Sequence, residues 1–515
     1  MKYSIFLLLV IFSISAVAQT NLYKEKYRPR FHFSPEKNWC NDPNGLVYNN
    51  GLYHLFYQHN PFGNIWGHMT WAHAISQDLL HWKHLPIAIP EENGTMIFSG
   101  TCVVDKNNTS GFGKNETLVK PANKKALQVK APMVAVYTGH VENVNQSQCI
   151  AYSLDSGITW TKYAGNPVLD LHKKDFRDPK IFWYPQKKYW VMALMFPNEH
   201  LVQFYSSKNL KQWNHLSDFG PAGDTSAVWE CPDLTEVPVK GVKGKKKWLL
   251  QTSQNGGMQY FVGEFDGISF INENPPDKIV KPDYGPDYYA AIAFNQLPAT
   301  SLPTTIGWIN NWNYANDIPT TPWKGAMSLP RNMSVKKVND DPGFPAGRWV
   351  LVQKPVEKII SLRQKILLQS TNEIVAHTKT LNVKSQQCEI ELLLEPSAKA
   401  TAGIKLATGN SHELEIGYDA VQQVLYIDRS KTANQPVNEN FKNHSRYQTK
   451  IILQNRQLKL HIFFDHSIVE IFANNGEAVI TVQIFPDEND NGIELFSNGA
   501  DTKAAITVWK MKTVW

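Results

Sequence analysis

Long amphipathic helical patterns are almost absent from this sequence, which excludes a helical fold. Apolar runs long enough to cross a bilayer are missing too. The run at residues 5–17 falls short of the roughly 20 residues that a spanning helix needs. Lys2 precedes that run and the small-x-small triplet Ala16-Val17-Ala18 closes it, the pattern of a cleavable export signal. A signal peptide at residues 1–18 is therefore expected, with the mature chain secreted or periplasmic and free of the membrane. No cysteine follows the run, which excludes a bacterial lipid anchor there. Cysteine is scarce, odd in number and without metal-type spacing: Cys40, Cys102, Cys149, Cys231 and Cys388 permit at most two disulfides and imply no zinc site. Charged residues are only 19% of the chain, and a net charge of +6 is small for 515 residues. The basic block from Lys243 to Lys247 reads as a solvated turn, so nucleic acid is not an expected partner. No glycine-rich phosphate loop follows a strand and no His-Cys cluster occurs, so neither cofactor nor metal is expected. His59, His68 and His73 read as hydrogen-bonded structural residues.

Aromatic residues, by contrast, are plentiful, at 12% with 16 tryptophans, a mix that suits strands and aromatic-lined surfaces. Short apolar or alternating runs recur: LYHLFYQ from Leu52, TMIFSGTCVV from Thr95, PMVAVYT from Pro132, KYWVMALMF from Lys188 and KKWLLQTS from Lys246. Their period and length predict an all-β chain. A sub-repeat joins them, since SQDLLHW ends at Trp82, SLDSGITW at Trp160 and SSKNLKQW at Trp213. In each, a polar turn leads to a tryptophan that opens the next strand, and these three tryptophans are expected to pack in the core. Repeats of about four strands predict propeller blades. Grouping in fours gives a five-bladed β-propeller whose blades begin near Asn41, Phe98, Asp178, Glu230 and Tyr288. The long second interval holds an Asn- and Lys-rich stretch at residues 105–130, which reads as an inserted loop.

In such a fold the first strand of each blade lines the axis, so Asp42, Asp178 and Glu230 would meet at one small ligand. Asp42 lies in WCNDPNG, where Pro43 fixes the backbone and Asn44-Gly45 is a strong turn pair. Asp178 lies in FRDPKIFWY beside Arg177, which would hold a neighbouring carboxylate ionised or donate to a hydroxyl. Glu230 lies between Trp229 and Cys231, an apolar setting that would raise its pKa and keep it a general acid. One ionised and one protonated carboxyl are what glycosidic bond cleavage requires.

WCNDPNG, FSG at Phe98, FRDP at Phe176, WECPDL at Trp229 and GWINNWNYAN at Gly307 together resemble glycoside hydrolase family 32, which includes invertases, inulinases and levanases. FFDHSIVEIFANNG from Phe463 resembles that family's C-terminal β-sandwich motif. The resemblance implies a five-bladed propeller followed by a β-sandwich, and a carbohydrate substrate. It makes Asp42 the nucleophile that attacks a fructosyl carbon, Glu230 the acid/base, and Asp178 the group that binds ring hydroxyls and stabilises the transition state. Asn41, Gln58, Phe98, Ser99 and Arg177 match positions that hold the terminal fructose, and Trp66, Trp71 and Trp312 match positions that wall the pocket. Tyr288, Tyr289 and Lys324 sit in family-like strings as supporting residues. Cys40 departs from the family, which commonly has Met there, and a thiol beside the nucleophile could sensitise activity to oxidants. Trp39 and Asn44 are retained, which favours hydrolysis over fructosyl transfer.

Pro232 and NNWNYANDIPTTPW from Asn310 resemble fructan exohydrolases of the levanase and inulinase type more than dedicated sucrose invertases. An endo-acting levanase, a fructosyltransferase and a non-catalytic fructan-binding protein stay open as alternatives, and so does the oligomeric state. The propeller is expected at residues 23–355, a short helical linker at 356–368 and the sandwich at 369–515. Asp465 and Glu470 are the polar residues of the sandwich motif, whose expected role is packing against the propeller.

Overall fold

A computed structural model describes residues 22–113, 131–339, 343–344, 347–432 and 437–515. The expected signal peptide at residues 1–18, and residues 114–130 of the expected inserted loop, lie outside it. The described chain is almost entirely β, and no helix among the described residues is long and apolar enough to cross a membrane.

Up to Pro355 the strands form five successive antiparallel sheets. Their first strands are Asn38–Asn49, Thr95–Val104, Arg177–Tyr184, Glu230–Pro238 and Tyr289–Ala293. Each of the five sequence markers falls inside, or one residue before, one of these strands. First strands of successive sheets touch in turn and the fifth touches the first, so they close a ring. A short parallel pairing of Trp323–Lys324 with Asn38 and Trp39 adds a late segment beside the first strand, at the ring-side edge of the first sheet. Asn295 ties three sheets together at the ring: its side-chain amide donates to the carbonyls of Cys102 and Ile181, both at 3.0 Å, while its backbone pairs with Leu46 and Tyr48. The buried Lys180 is neutralised by Asp233 at 2.6 Å and also donates to the Ala293 carbonyl.

The tryptophan sub-repeat has a local cause. Asp78, Asp155 and Asn209 each accept two backbone N–H groups from residues two to four ahead, forming the tight turn that reverses the chain. Trp82, Trp160 and Trp213 then each donate the indole N–H, at 3.0 Å, to the carbonyl three residues back. In the fourth sheet Asp266 makes the same turn to Ile268 and Ser269 without a tryptophan.

A single 3₁₀ turn at Glu357–Leu362 follows, and a strand starts at once at Arg363–Val375. This corrects the expected linker at 356–368, whose second half is strand. The strand is at the edge of its sheet and shifts register three times, so it lacks the clean alternation that would have shown it. Two six-stranded sheets then enclose one apolar cluster that includes Ile390, Leu406, Ile416, Ile462, Ile471 and Val508.

Asp465 and Glu470, expected only to help packing, are the centre of a buried polar seam. Glu470 accepts from Arg331 of the fifth sheet and from the Leu329 N–H, and Arg331 also reaches Asp283 at 3.0 Å. His32 places one ring nitrogen 2.8 Å from Asp465 and the other 2.9 Å from Glu470. Both nitrogens must then carry protons, so the ring is an imidazolium. Burial opposes that charge, but the two carboxylates outweigh it and hold the His32 pKa up at about 9.

Two outcomes are expected. Glu470→Ala strands a buried guanidinium and imidazolium and should cost about 3–5 kcal/mol in chemical denaturation. For His32 the folded pKa lies above the unfolded one, so its stabilisation is complete below about pH 6.5 and lost as pH rises through about 9. The unfolding midpoint of His32→Gln should therefore differ most from the parent below pH 6.5 and converge on it above pH 9.

Candidate active site

Each of the five first strands carries one extra residue at the same place. Register slips by one between Cys40 and Pro43, Ile97 and Gly100, Arg177 and Lys180, Glu230 and Asp233, and Tyr289 and Ile292. Such a bulge re-aims the side chains around it. Asp42, Ser99, Asp178 and Cys231 lie within the bulges, while Glu230 and Tyr289 immediately precede one. Asp178, Cys231 and Ala290 adopt left-handed backbone, with φ of 64°, 48° and 51°. Their N–H groups are held by the Thr138 hydroxyl at 3.0 Å, the Asp178 carboxylate at 2.9 Å and the Ser253 hydroxyl at 3.0 Å. The prolines at 43, 179 and 232 fit this backbone, since a bulge tolerates the lost ladder N–H.

Three carboxylates meet here. Ser99 donates to Asp42 Oδ2 at 2.7 Å and Asn41 donates to Oδ1 at 3.0 Å, while the Trp39 indole fixes the Asn41 amide at 2.8 Å. The Cys231 thiol lies 3.5 Å from Asp42 and 3.6 Å from Asp178, and so links the two. Arg177 donates to Glu230 at 3.1 Å and to Asp175 at 2.8 Å, but its nearest nitrogen is 3.9 Å from Asp178. The Tyr289 hydroxyl donates to the other oxygen of Glu230 at 2.5 Å.

The expected apolar setting of Glu230 is thus corrected: an arginine and a phenol face it, and its side chain is 25% exposed. Residues adjacent along a strand point to opposite faces, so Trp229 packs among Leu234, Leu250 and Phe261 instead of around the carboxyl. Arg177, expected to pair with a neighbouring carboxylate or a hydroxyl, gives its hydrogen bonds to the carboxylates of Glu230 and Asp175. Burial dominates at Asp178 and, with the charges of Glu230 and Asp42, outweighs Arg177, so its pKa is held up at about 7. Burial also raises Asp42; Ser99 opposes it and the Glu230 charge adds to it.

Around these groups, the exposed indoles of Trp66 and Trp312 flank the opening, and Phe98 packs edge-on to Trp66 at 6.2 Å. Trp71, expected in the wall, is fully buried, and its indole donates to the Phe98 carbonyl at 3.0 Å, so it supports the strand from behind. Gln58 does likewise at the Ile97 carbonyl, at 2.9 Å. Tyr288 turns away onto Arg331, and Lys324 reaches the Asn316 carbonyl outside the carboxylate cluster. Cys40, expected to perturb the pocket, is fully buried among Phe31, Phe33 and Tyr57, which removes the reason for oxidant sensitivity. All five cysteines are free. Cys231, Thr138 and Tyr289 are the contributors that residue patterns underrated. The one sequence signal for the bulges was the recurrent proline after Asp42, Asp178 and Cys231.

Ionising Asp178 in this site destabilises the fold, because its folded pKa of about 7 exceeds the ordinary 3.8. The penalty is absent below about pH 4 and complete above about pH 7. Asp178→Asn should therefore gain thermal stability over the parent as pH rises through that window, measured as the difference in Tm at pH 4 and pH 8.

Residues 32–342 match the glycosyl hydrolases family 32 N-terminal domain, and residues 358–510 match the family's C-terminal domain. A levanase of Bacillus subtilis (strain 168) is 45% identical over 527 residues, spanning 99% of this chain and 74% of that protein. An extracellular exo-inulinase of Aspergillus awamori is 35% identical and spans 98% of both chains. Its crystal structure superposes with a TM-score of 0.87 at 36% identity, covering 96% of this chain and 100% of that one. A β-fructofuranosidase from Schwanniomyces occidentalis, complexed with fructosyl-erythritol, gives a TM-score of 0.84 at 30% identity over 95% and 99% of the chains. With both domain matches in chain order and relatives of this similarity end to end, the protein belongs to glycoside hydrolase family 32.

Proposed function

We propose that this protein is an exported, retaining β-fructosidase that removes terminal fructosyl units from levan or inulin, and from sucrose. The observation that carries the reading is the convergence of Asp42, Glu230 and Asp178 on equivalent bulges of a closed ring, beneath an aromatic rim. The levanase and extracellular exo-inulinase among its relatives supply the substrate class and the location. The ring of five first strands supports a five-bladed propeller at residues 23–355, and the two six-stranded sheets support a sandwich after it.

Asp42 attacks the anomeric carbon while Glu230 gives its proton to the departing oxygen, leaving a fructosyl ester on Asp42. Glu230 then takes a proton from water, which attacks the same carbon and releases Asp42. Asp178, locked by the Cys231 N–H, binds ring hydroxyls, and its carboxylate stabilises the positive charge of the oxocarbenium ion as it develops. Tyr289 and Arg177 fix both oxygens of Glu230, which must be aimed at one leaving oxygen. Exo action is favoured by the joining of two loops, in which the Trp66 N–H donates to Asn316 and the Asn64 amide to the Thr320 carbonyl, over an open endo cleft.

Chromatography of early products from levan, inulin and sucrose tests this reading. Fructose should be the sole early product from either polymer, and longer oligosaccharides would replace exo by endo action. Asp42→Ala should lower kcat by roughly 10⁴-fold or more with the fold intact. Glu230→Ala should lose far more activity on sucrose than on an aryl fructoside whose leaving group needs no proton.

A further inference from the structure

His140 closes the second strand of the second sheet, Met133–Val141, and is half-buried beside the site. Two chains of contacts join it to the carboxylates. Its ring stacks on Phe98 with centroids 4.2 Å apart and planes 11° apart, and the neighbouring Ser99 donates to Asp42. On the other side, Gln146 contacts His140 Nδ1 at 3.2 Å and Arg177 at 3.5 Å, and Arg177 donates to Glu230.

The protonation of His140 follows from its neighbours. The Phe176 backbone N–H, which can only donate, lies 2.8 Å from Gln146 Oε1. The Gln146 amide is thereby fixed with its nitrogen toward His140, so Nδ1 must accept. The neutral imidazole then carries its proton on Nε2, which has no hydrogen-bond partner among the described residues. Burial, reinforced by Arg177, favours this neutral form. The result is a half-buried neutral ring stacked on Phe98, with a single unpartnered donor, that Gln146 and Arg177 tie to the Glu230 side of the site. Because Glu230 protonates the departing oxygen, the departing sugar unit lies on that side.

We propose that His140 is a specificity-determining residue that binds the leaving sugar, with Nε2–H donating to one of its hydroxyls and the ring held in place by its stacking on Phe98. This rests on the fructosidase reading of the same site. Its ligand is the unit next to the scissile bond in a fructan, a group absent from a simple alkyl fructoside.

Kinetics on two substrates test it: a fructan trisaccharide, and methyl β-fructofuranoside, whose leaving group is too small to reach His140. His140→Phe keeps a flat ring on Phe98 and deletes the donor, whereas His140→Gln can still accept from Gln146 and donate outward. For His140→Phe, kcat/KM on the trisaccharide should fall about tenfold, as for one lost hydrogen bond, mainly through KM, while the methyl glycoside is unaffected. His140→Gln should recover most of that loss, and both variants should keep the parental Tm within a few degrees. An equal loss on both substrates, or no loss on the trisaccharide, overturns the proposal. A parent enzyme that cleaves neither substrate would instead defeat the fructosidase reading, and this assignment with it.

Discussion

One extra residue, repeated at the same level of five strands, is the constraint on which the site depends. A regular pleat would send alternate side chains into the gaps between sheets, and three acids could not share one axis. The bulge breaks that alternation and turns Asp42, Ser99 and Asp178 inward together. Left-handed backbone at Asp178 and Cys231 costs of order 1–3 kcal/mol each. The Thr138 hydroxyl and the Asp178 carboxylate hold the two strained N–H groups, so the strain is fixed by hydrogen bonds from other strands.

Bringing acids together has its own cost, since burial and mutual repulsion both oppose their charge. The site manages it unequally. Glu230 has a guanidinium, a phenol and some solvent, whereas Asp178 has the backbone N–H and thiol of Cys231 and a distant arginine. Two buried arginines elsewhere are each held by more than one partner. Arg331 is met by Glu470 and Asp283, and Arg429 by Asp287 at 2.7 Å and the Tyr314 hydroxyl at 2.8 Å. The contrast separates these multiply bonded ion pairs from the carboxylate cluster, whose members are compensated unequally.

Much of this was legible in the sequence. Strand-period runs announced an all-β chain, and motif strings singled out Asp42, Asp178 and Glu230, which the fold brings together. Placement of side chains was less legible, because it depends on contacts far apart in the chain. Glu230 looked apolar from Trp229 and Cys231, yet its partners, Arg177 and Tyr289, lie 53 and 59 residues away. Trp71 looked like a pocket wall because motif position cannot tell the front of a strand from its back. The strand from Arg363 was hidden because an edge strand with bulges has no steady period. Cys40 seemed poised beside Asp42, since residues two apart on a regular strand share a face, but the bulge between Cys40 and Pro43 breaks that alternation.

The N-terminal segment at residues 30–32 is held by the Asp465 carboxylate, 433 to 435 residues further along the chain. Asn38 and Trp39 likewise wait for Trp323 and Lys324. The earliest residues are thus anchored by the latest ones, and contacts of such separation form slowly because the intervening loop must close first. Assembly of this enzyme therefore waits on distant parts of its own chain: until residues 323–324 exist the strand that carries Asp42 has a free edge, and until Asp465 exists the segment before it has no berth.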